Sequence, residues 1–158
     1  MSMNVGIING TSYFGVELVR LISNHSELTV TSVTGRSQAG SKFGEVFPHL
    51  QATNPDVAKL VLKTDLDEAV DLIFSCLPHA VSAVALIPYI EAGIPIIDVS
   101  ADFRLKDPAE YARWYQVEHP APNLLSKAVY GLTELHRDLI RKTTLIGNPG
   151  CYSTAAIL

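Results

Sequence analysis

A cysteine stands behind two glycines and a proline in the stretch Gly147 to Thr154, GNPGCYST, and its surroundings suit attack on a carbonyl carbon. Upstream, TTLIG is β-branched and apolar and reads as a strand, while STAAIL downstream reads as a helix. Cys151 therefore falls where a strand stops and a helix starts. The free amides and positive dipole end of a helix N-terminus favour an anion, which pushes a cysteine there toward the thiolate, the form that attacks carbonyl carbon. Pro149 fixes one backbone angle, and Gly150 allows a sharp bend and close approach of a substrate to the backbone. A cysteine packed as a small apolar residue behind a turn is the competing reading, and position alone leaves the two level.

Other short stretches carry residue types that fit such chemistry. NGTSYFG, spanning Asn9, Gly10, Thr11, Ser12, Tyr13, Phe14 and Gly15, sits between a strand and a helix, where a dinucleotide-binding domain keeps its phosphate turn. Asn9 and Ser12 stand at two fingerprint glycine positions, and Asn tolerates left-handed backbone better than most residues. Gly15 supplies close helix packing. The competing reading is an ordinary βα turn.

Arg36, followed by Ser37, lies just past the second strand, where an NAD-specific fold places an acid for the ribose hydroxyls. No Asp or Glu occurs between Val30 and Gln38, which speaks against NAD; an arginine there suits the 2′-phosphate of NADP, and a solvated surface arginine is the competing reading. Leu77, Pro78 and His79 follow a buried strand, and His79 reads as a neighbour of the cofactor or as a helix cap.

Ser100, Asp102 and Arg104 share one strand end in SADFRLKD. Arg104 is suited to a bidentate pair with a substrate carboxylate or phosphate, and equally to Asp102 or another acid as structural support. His25, His49, His119 and His136 lack metal-ligand spacing and default to surface roles. Cys76, inside DLIFSCL, reads as core.

The elements that position these residues alternate. Met3 to Ile8 reads as a strand, VELVRLI as a helix and Leu28 to Thr34 as a second strand, making a βαβ unit. Residues 35–57, broken by glycines and prolines, read as a surface excursion. Lys59 to Leu62 is expected as a short strand, residues 65–70 as a brief helix and Asp71 to Leu77 as a central strand. A helix over His79 to Ala92 must kink or split at Pro88, and Gly93 ends it. IPIIDVS is the next strand. Asp107 caps a helix opened by Pro108, residues 116–134 read as loop, LHRDLIRK as a short helix, and Thr144 to Gly147 as the last strand. This alternation implies an α/β, doubly wound, mainly parallel sheet of the Rossmann type, whose ligands bind beyond the carboxyl ends of the strands.

The chain has 158 residues, one ordinary domain, and with 47% hydrophobic residues it can fill a single core. A formal charge of −4 argues against nucleic-acid binding that depends on a basic face. No apolar run is long enough to span a bilayer, and no secretory leader is evident, so a soluble cytoplasmic protein is expected. Two cysteines outside any CxxC pair indicate neither a zinc site nor a disulfide framework.

DVSADFRL, the YGLTEL run from Tyr130 to Leu135 and GNPGCYSTAA resemble the N-acetyl-gamma-glutamyl-phosphate reductases of arginine biosynthesis, within the larger aspartate-semialdehyde dehydrogenase-like group. The resemblance extends over essentially the whole chain, including the SQAG and VFPHL pieces of the irregular excursion. It implies NADPH-dependent reduction of N-acetyl-glutamyl 5-phosphate to the 5-semialdehyde through a thioester on Cys151, with inorganic phosphate released. It also implies a homo-oligomeric full-length protein and an acid–base histidine contributed by a second, α+β domain. None of the five histidines here stands in that motif.

Residues 1–158 are accordingly expected to be the NADP-binding part of a longer chain, ending at the cysteine helix and inactive alone. The expected cofactor contacts are Asn9 to Gly15, Arg36, Ser37 and Leu77 to His79. The expected substrate contacts are Ser100, Arg104, Asn148 and Gly150, with Cys151 catalytic. Two departures from the family pattern are the glycine replacements at Asn9 and Ser12, and Ser153 where proline is common. An amino-adipyl-phosphate or aspartyl-phosphate reductase and a non-catalytic, redox-sensing NADP module are the alternatives.

Overall fold

Short, mostly apolar runs two to six residues long, separated by segments of helical period, produce strands and helices in alternation. The computed structural model describes residues 2–67 and 69–158. It divides into two compact units, Met1–Cys76 and Leu77–Leu158.

In the first unit, β1 (Met3–Ile8) pairs in parallel with β2 (Leu28–Val33) on one side and with β3 (Leu72–Ser75) on the other. Flanked on both edges, β1 is buried continuously from Val5 to Ile8 rather than alternately, as an inner parallel strand should be. Helix α1 (Tyr13–Ile22) makes the crossover and turns Gly15, Val19 and Ile22 inward at spacings of four and three.

The excursion after β2 consists of a 3₁₀ turn at Arg36–Gln38 and three four-residue helices, α2 (Phe43–Val46), α3 (Leu50–Thr53) and α4 (Pro55–Ala58). Fully buried Phe43 and Leu50 anchor it. The strand expected over Lys59 to Leu62 does not form. Isolated bridges, Lys42 with Val61 and Thr34 with Lys63, take its place. The helix expected over residues 65–70 includes residue 68, outside the described residues, and its neighbours 65–67 and 69–70 are not helical.

In the second unit, α5 (Ser82–Glu91) starts three residues later than expected, because Ala80 adopts a left-handed φ of 63° that no helix accommodates. The helix runs through Pro88 as one element. Pro88 and Val84 both lie on the exposed face, where the carbonyl that proline leaves without a donor faces water. At its end Gly93, at φ 75°, closes a Schellman motif with Gly93 N–H on Ile90 O and Ile94 N–H on Tyr89 O.

Strand β4 (Ile96–Asp98) follows, then α6 (Pro108–Tyr115), whose Asp107 cap accepts from the Ala109 amide at 2.8 Å. The expected loop contains a 3₁₀ turn at Pro122–Leu124 and a two-residue strand, β5 (Val129–Tyr130). Helix α7 (Thr133–Ile140), bent at His136, β6 (Leu145–Gly147) and α8 (Cys151–Ile157) complete the unit. Strand β6 pairs in parallel with both β4 and β5. Among the described residues no helix is long and apolar enough to cross a membrane.

Candidate active site

In the first unit the chemistry gathers at the carboxyl ends of β1 and β2. Asn9 takes the left-handed conformation at φ 59°, which fingerprint glycines otherwise supply. Its side-chain amide donates to Cys76 O at 2.8 Å and its backbone N–H to Thr34 Oγ1 at 2.9 Å, so the turn is tied to β3 and β2 together. Ser12 is the N-cap of α1: its hydroxyl donates to Asn9 O and accepts from the Gly15 amide.

With that amide satisfied, the first-turn N–H groups of Tyr13 and Phe14 bond to no carbonyl among the described residues, as at any helix N-terminus. A Cβ on Gly15 would lie 2.5 Å from Gly10 Cα, so only glycine permits this approach of helix and turn. Thr11 packs against Gly35, joining the two loops, and beyond it Arg36 and Ser37 are exposed. Tyr13 is 95% exposed and Phe14 66% exposed. An anion-binding helix end, a cramped glycine contact and an exposed arginine at the end of β2 together fit a dinucleotide phosphate.

In the second unit three loops converge, those of Leu77 to Val81, Val99 to Lys106 and Asn148 to Gly150. Arg104 is the link between strands: its Nε donates to Asn148 O at 2.7 Å and its Nη2 to Val99 O at 2.8 Å. Its Nη1 lies 3.1 Å from where a Cβ on Gly150 would sit, beside the start of α8. Arg104 therefore pairs with neither Asp102 nor another acid among the described residues; it braces the loops through carbonyls, which leave its charge unneutralised. A Cβ on Gly147 would lie 2.3 Å from Phe103 O, so β6 and the Arg104 loop touch backbone to backbone.

Cys151 opens α8 and is exposed, which removes the reading of a buried, packed thiol, whereas Cys76 is core. Tyr130, in β5, brings its hydroxyl to 3.1 Å from Ser153 Oγ, and that serine also bonds to Gly150 O.

Two buried aspartates hold this frame. Asp98 accepts from Ser82 Oγ at 2.6 Å and from both the hydroxyl and the amide of Ser100. Burial raises its carboxyl above the ordinary range, against the lowering effect of those hydroxyl bonds. Ser100 is 8% exposed and its hydroxyl is shared between Asp98 and the Asp102 amide. It thus serves the frame and does not face outward to a substrate.

Asp102 is fully buried and accepts from the amides of Ala80 and Ala83 and from the Tyr111 hydroxyl. Desolvation first, and then the Asp102 carboxylate, raise the Tyr111 phenol well above its ordinary value. His119, assigned by default to the surface, is 6% exposed instead. Its Nδ1 accepts from the Ala121 amide, so Nε2 carries the proton and donates to Asp102 O at 2.8 Å. His79 is exposed, its ring 5.4 Å from that of Tyr115. Sequence reasoning passed over Asp98, Tyr111 and Tyr130; an acid inside the otherwise apolar IPIIDVS was the available signal for the first.

Residues 4–143 match the family model described as semialdehyde dehydrogenase, NAD binding domain. The chain belongs to this family. Among curated relatives of the semialdehyde dehydrogenase family, an N-acetyl-gamma-glutamyl-phosphate reductase of Dehalococcoides mccartyi is 49% identical over 153 residues, 97% of this chain and 43% of the relative. Another from Pelotomaculum thermopropionicum is 44% identical over 158 residues, 100% of this chain and 46% of the relative.

The chain spans less than half the length of these curated relatives. Among solved structures, aspartate semialdehyde dehydrogenase with NADP from Candida albicans matches at a TM-score of 0.68 with 12% identity, covering 96% of this chain and 44% of that one. Aspartate semialdehyde dehydrogenase II of Vibrio cholerae matches at 0.63 with 15% identity, covering 99% and 44%. The fold is thus the α/β, Rossmann-type fold of semialdehyde dehydrogenases, as the alternation of elements implied.

Proposed function

We propose that this chain is the cofactor-binding and thiol-bearing part of an NADPH-dependent N-acetyl-gamma-glutamyl-phosphate reductase. The observation that carries the reading is an exposed Cys151 at the head of α8 beside a guanidinium that is braced but not neutralised. The relatives' names supply the substrate class. The acetylglutamyl substrate is favoured over amino-adipyl or aspartyl phosphate because the similar curated chains are acetylglutamyl reductases.

In this reading the Cys151 thiolate attacks the acyl carbon, the carbon–oxygen bond to phosphate breaks, and inorganic phosphate leaves a thioester on sulfur. Arg104 offers positive charge to the departing phosphate or to a substrate carboxylate, its orientation set by Val99 O and Asn148 O. Gly150 leaves room for the acyl group against the backbone, and nearby amides supply donors for developing charge on oxygen. Asn9 to Gly15 hold the pyrophosphate of the cofactor, Arg36 and Ser37 its 2′-phosphate, and Leu77 to His79 contact it past β3. Bound NADPH supplies the hydride that turns the acyl group into the aldehyde.

Exposed Arg36, with no ion pair among the described residues, supports preference for NADP over NAD. Two thiols outside any disulfide agree with a cytoplasmic setting, and the resemblance carries a homo-oligomeric full-length protein. Fluorescence titration tests the cofactor assignment: NADPH binds more tightly than NADH, and Arg36→Glu narrows or reverses the difference by about tenfold or more. An unchanged affinity ratio would contradict the 2′-phosphate contact.

A further inference from the structure

Ala80 holds a left-handed φ of 63°, a conformation that costs a residue with a Cβ free energy and persists only where the surroundings over-determine it. Backbone bonds from Val81 and Ser82 to Pro78 O close the turn, and one carboxylate holds its amides. Asp102 Oδ1 accepts from the Ala80 amide at 2.8 Å and from the Tyr111 hydroxyl at 2.7 Å, and Oδ2 accepts from the Ala83 amide at 2.8 Å. The carboxylate is itself fixed at both backbone ends, its N–H on Ser100 Oγ and its C=O under His119 Nε2. The aromatic rings of His79, Tyr115, Tyr111 and His119 then run in contact from the exposed loop to the buried acid. One side chain therefore holds the amides on both sides of the entry to α5.

We infer that Asp102 is a positioning residue that locks the left-handed turn at Ala80 and thereby sets Pro78 and His79 for the cofactor. The inference rests on the reading that Leu77 to His79 meet NADP(H). Asparagine at position 102 presents a donor to one of two backbone donors, so one amide loses its acceptor and the turn relaxes toward ordinary backbone. Glycine at position 80 accepts a left-handed φ without help and restores the turn when the carboxylate is gone. A residue that merely stabilised the fold would not be rescued in this way.

The test compares the unaltered 158-residue chain with Asp102→Asn and with Asp102→Asn combined with Ala80→Gly. Its readouts are the NADPH dissociation constant by fluorescence and the exchange rates of the Ala80 and Ala83 amides by NMR. Asp102→Asn should weaken NADPH binding about tenfold and speed exchange at one or both amides, and adding Ala80→Gly should recover most of the lost affinity. Should Asp102→Asn not fold, Ala80→Val decides with the carboxylate in place: a β-branched residue resists a left-handed φ, so NADPH binding should weaken, while Ala80→Gly alone should bind as the parent chain does. Unchanged NADPH affinity in a folded Asp102→Asn chain, no recovery with Ala80→Gly, or unchanged NADPH affinity in Ala80→Val overturns the inference. No NADPH binding by the unaltered chain contradicts the cofactor reading itself, and with it the purpose assigned to the turn.

Discussion

Arg104 shows how one side chain acquires its role from what it does not pair with. Its Nε and Nη2 bond to carbonyls, which orient a guanidinium without cancelling its charge, whereas an acid in the same place would have spent it. Asp98 lies close by with the opposite problem, a carboxylate taken out of water among serine hydroxyls. Its folded pKa is raised, so the folded chain keeps a proton that the unfolded chain has already released. Stability from this group is therefore fully present below the ordinary carboxylate pKa of about 3.9 and falls as pH rises through the raised value. Asp98→Asn preserves the acceptor for Ser82 and for the Ser100 amide and removes the titration. Urea denaturation from about pH 4 to about pH 7 should show the variant gaining on the parent chain as pH increases. Parallel curves would mean that Asp98 is not held protonated by burial.

Elements matter here mainly through backbone contacts that only glycine allows. Strand β6 lies against Phe103 at Gly147, and an added methyl at 2.3 Å from Phe103 O must push apart β6 and the loop carrying Arg104. Gly147→Ala is predicted to cost about 1–3 kcal/mol, as overpacking does, read as a lowered urea midpoint. A midpoint equal to the parent's would show that the two segments have room to spare.

Much at this scale was legible. The βαβ start, the Asp107 cap with Pro108, the Gly93 stop and the helix beginning at Cys151 each follow from local chemistry. Asn9 in the left-handed region was readable from residue type alone. Strand β5 was not, because two residues carry no periodicity and exist as a strand only through pairing with β6. Pro88 misled because a helix interrupted on its solvent face needs no tertiary repair. His119 misled because nothing local records that a histidine will be closed in by Phe103 and Tyr111.

For the molecule as a whole, the identity of the fold was carried by alternation and the identity of the chemistry by three short strings, DVSADFRL, YGLTEL and GNPGCYST. The structure gives the first string to the Asp98, Ser100, Asp102 and Arg104 frame and the third to the exposed thiol; the second supplies Tyr130, at Ser153. What the strings did not reveal is the division of labour, in which Ser100, Asp102 and Arg104 tie the loops together while Cys151 is exposed. The central claim is that Cys151 is the nucleophile toward an acyl phosphate. Peptide mass spectrometry after exposure of the reduced full-length protein, without NADPH, to N-acetyl-glutamyl 5-phosphate tests it most directly. The account predicts an acyl group on Cys151 with a matching amount of phosphate released, none on buried Cys76, and neither signal in Cys151→Ser. An unmodified Cys151, or phosphate release that continues undiminished in Cys151→Ser, would contradict it.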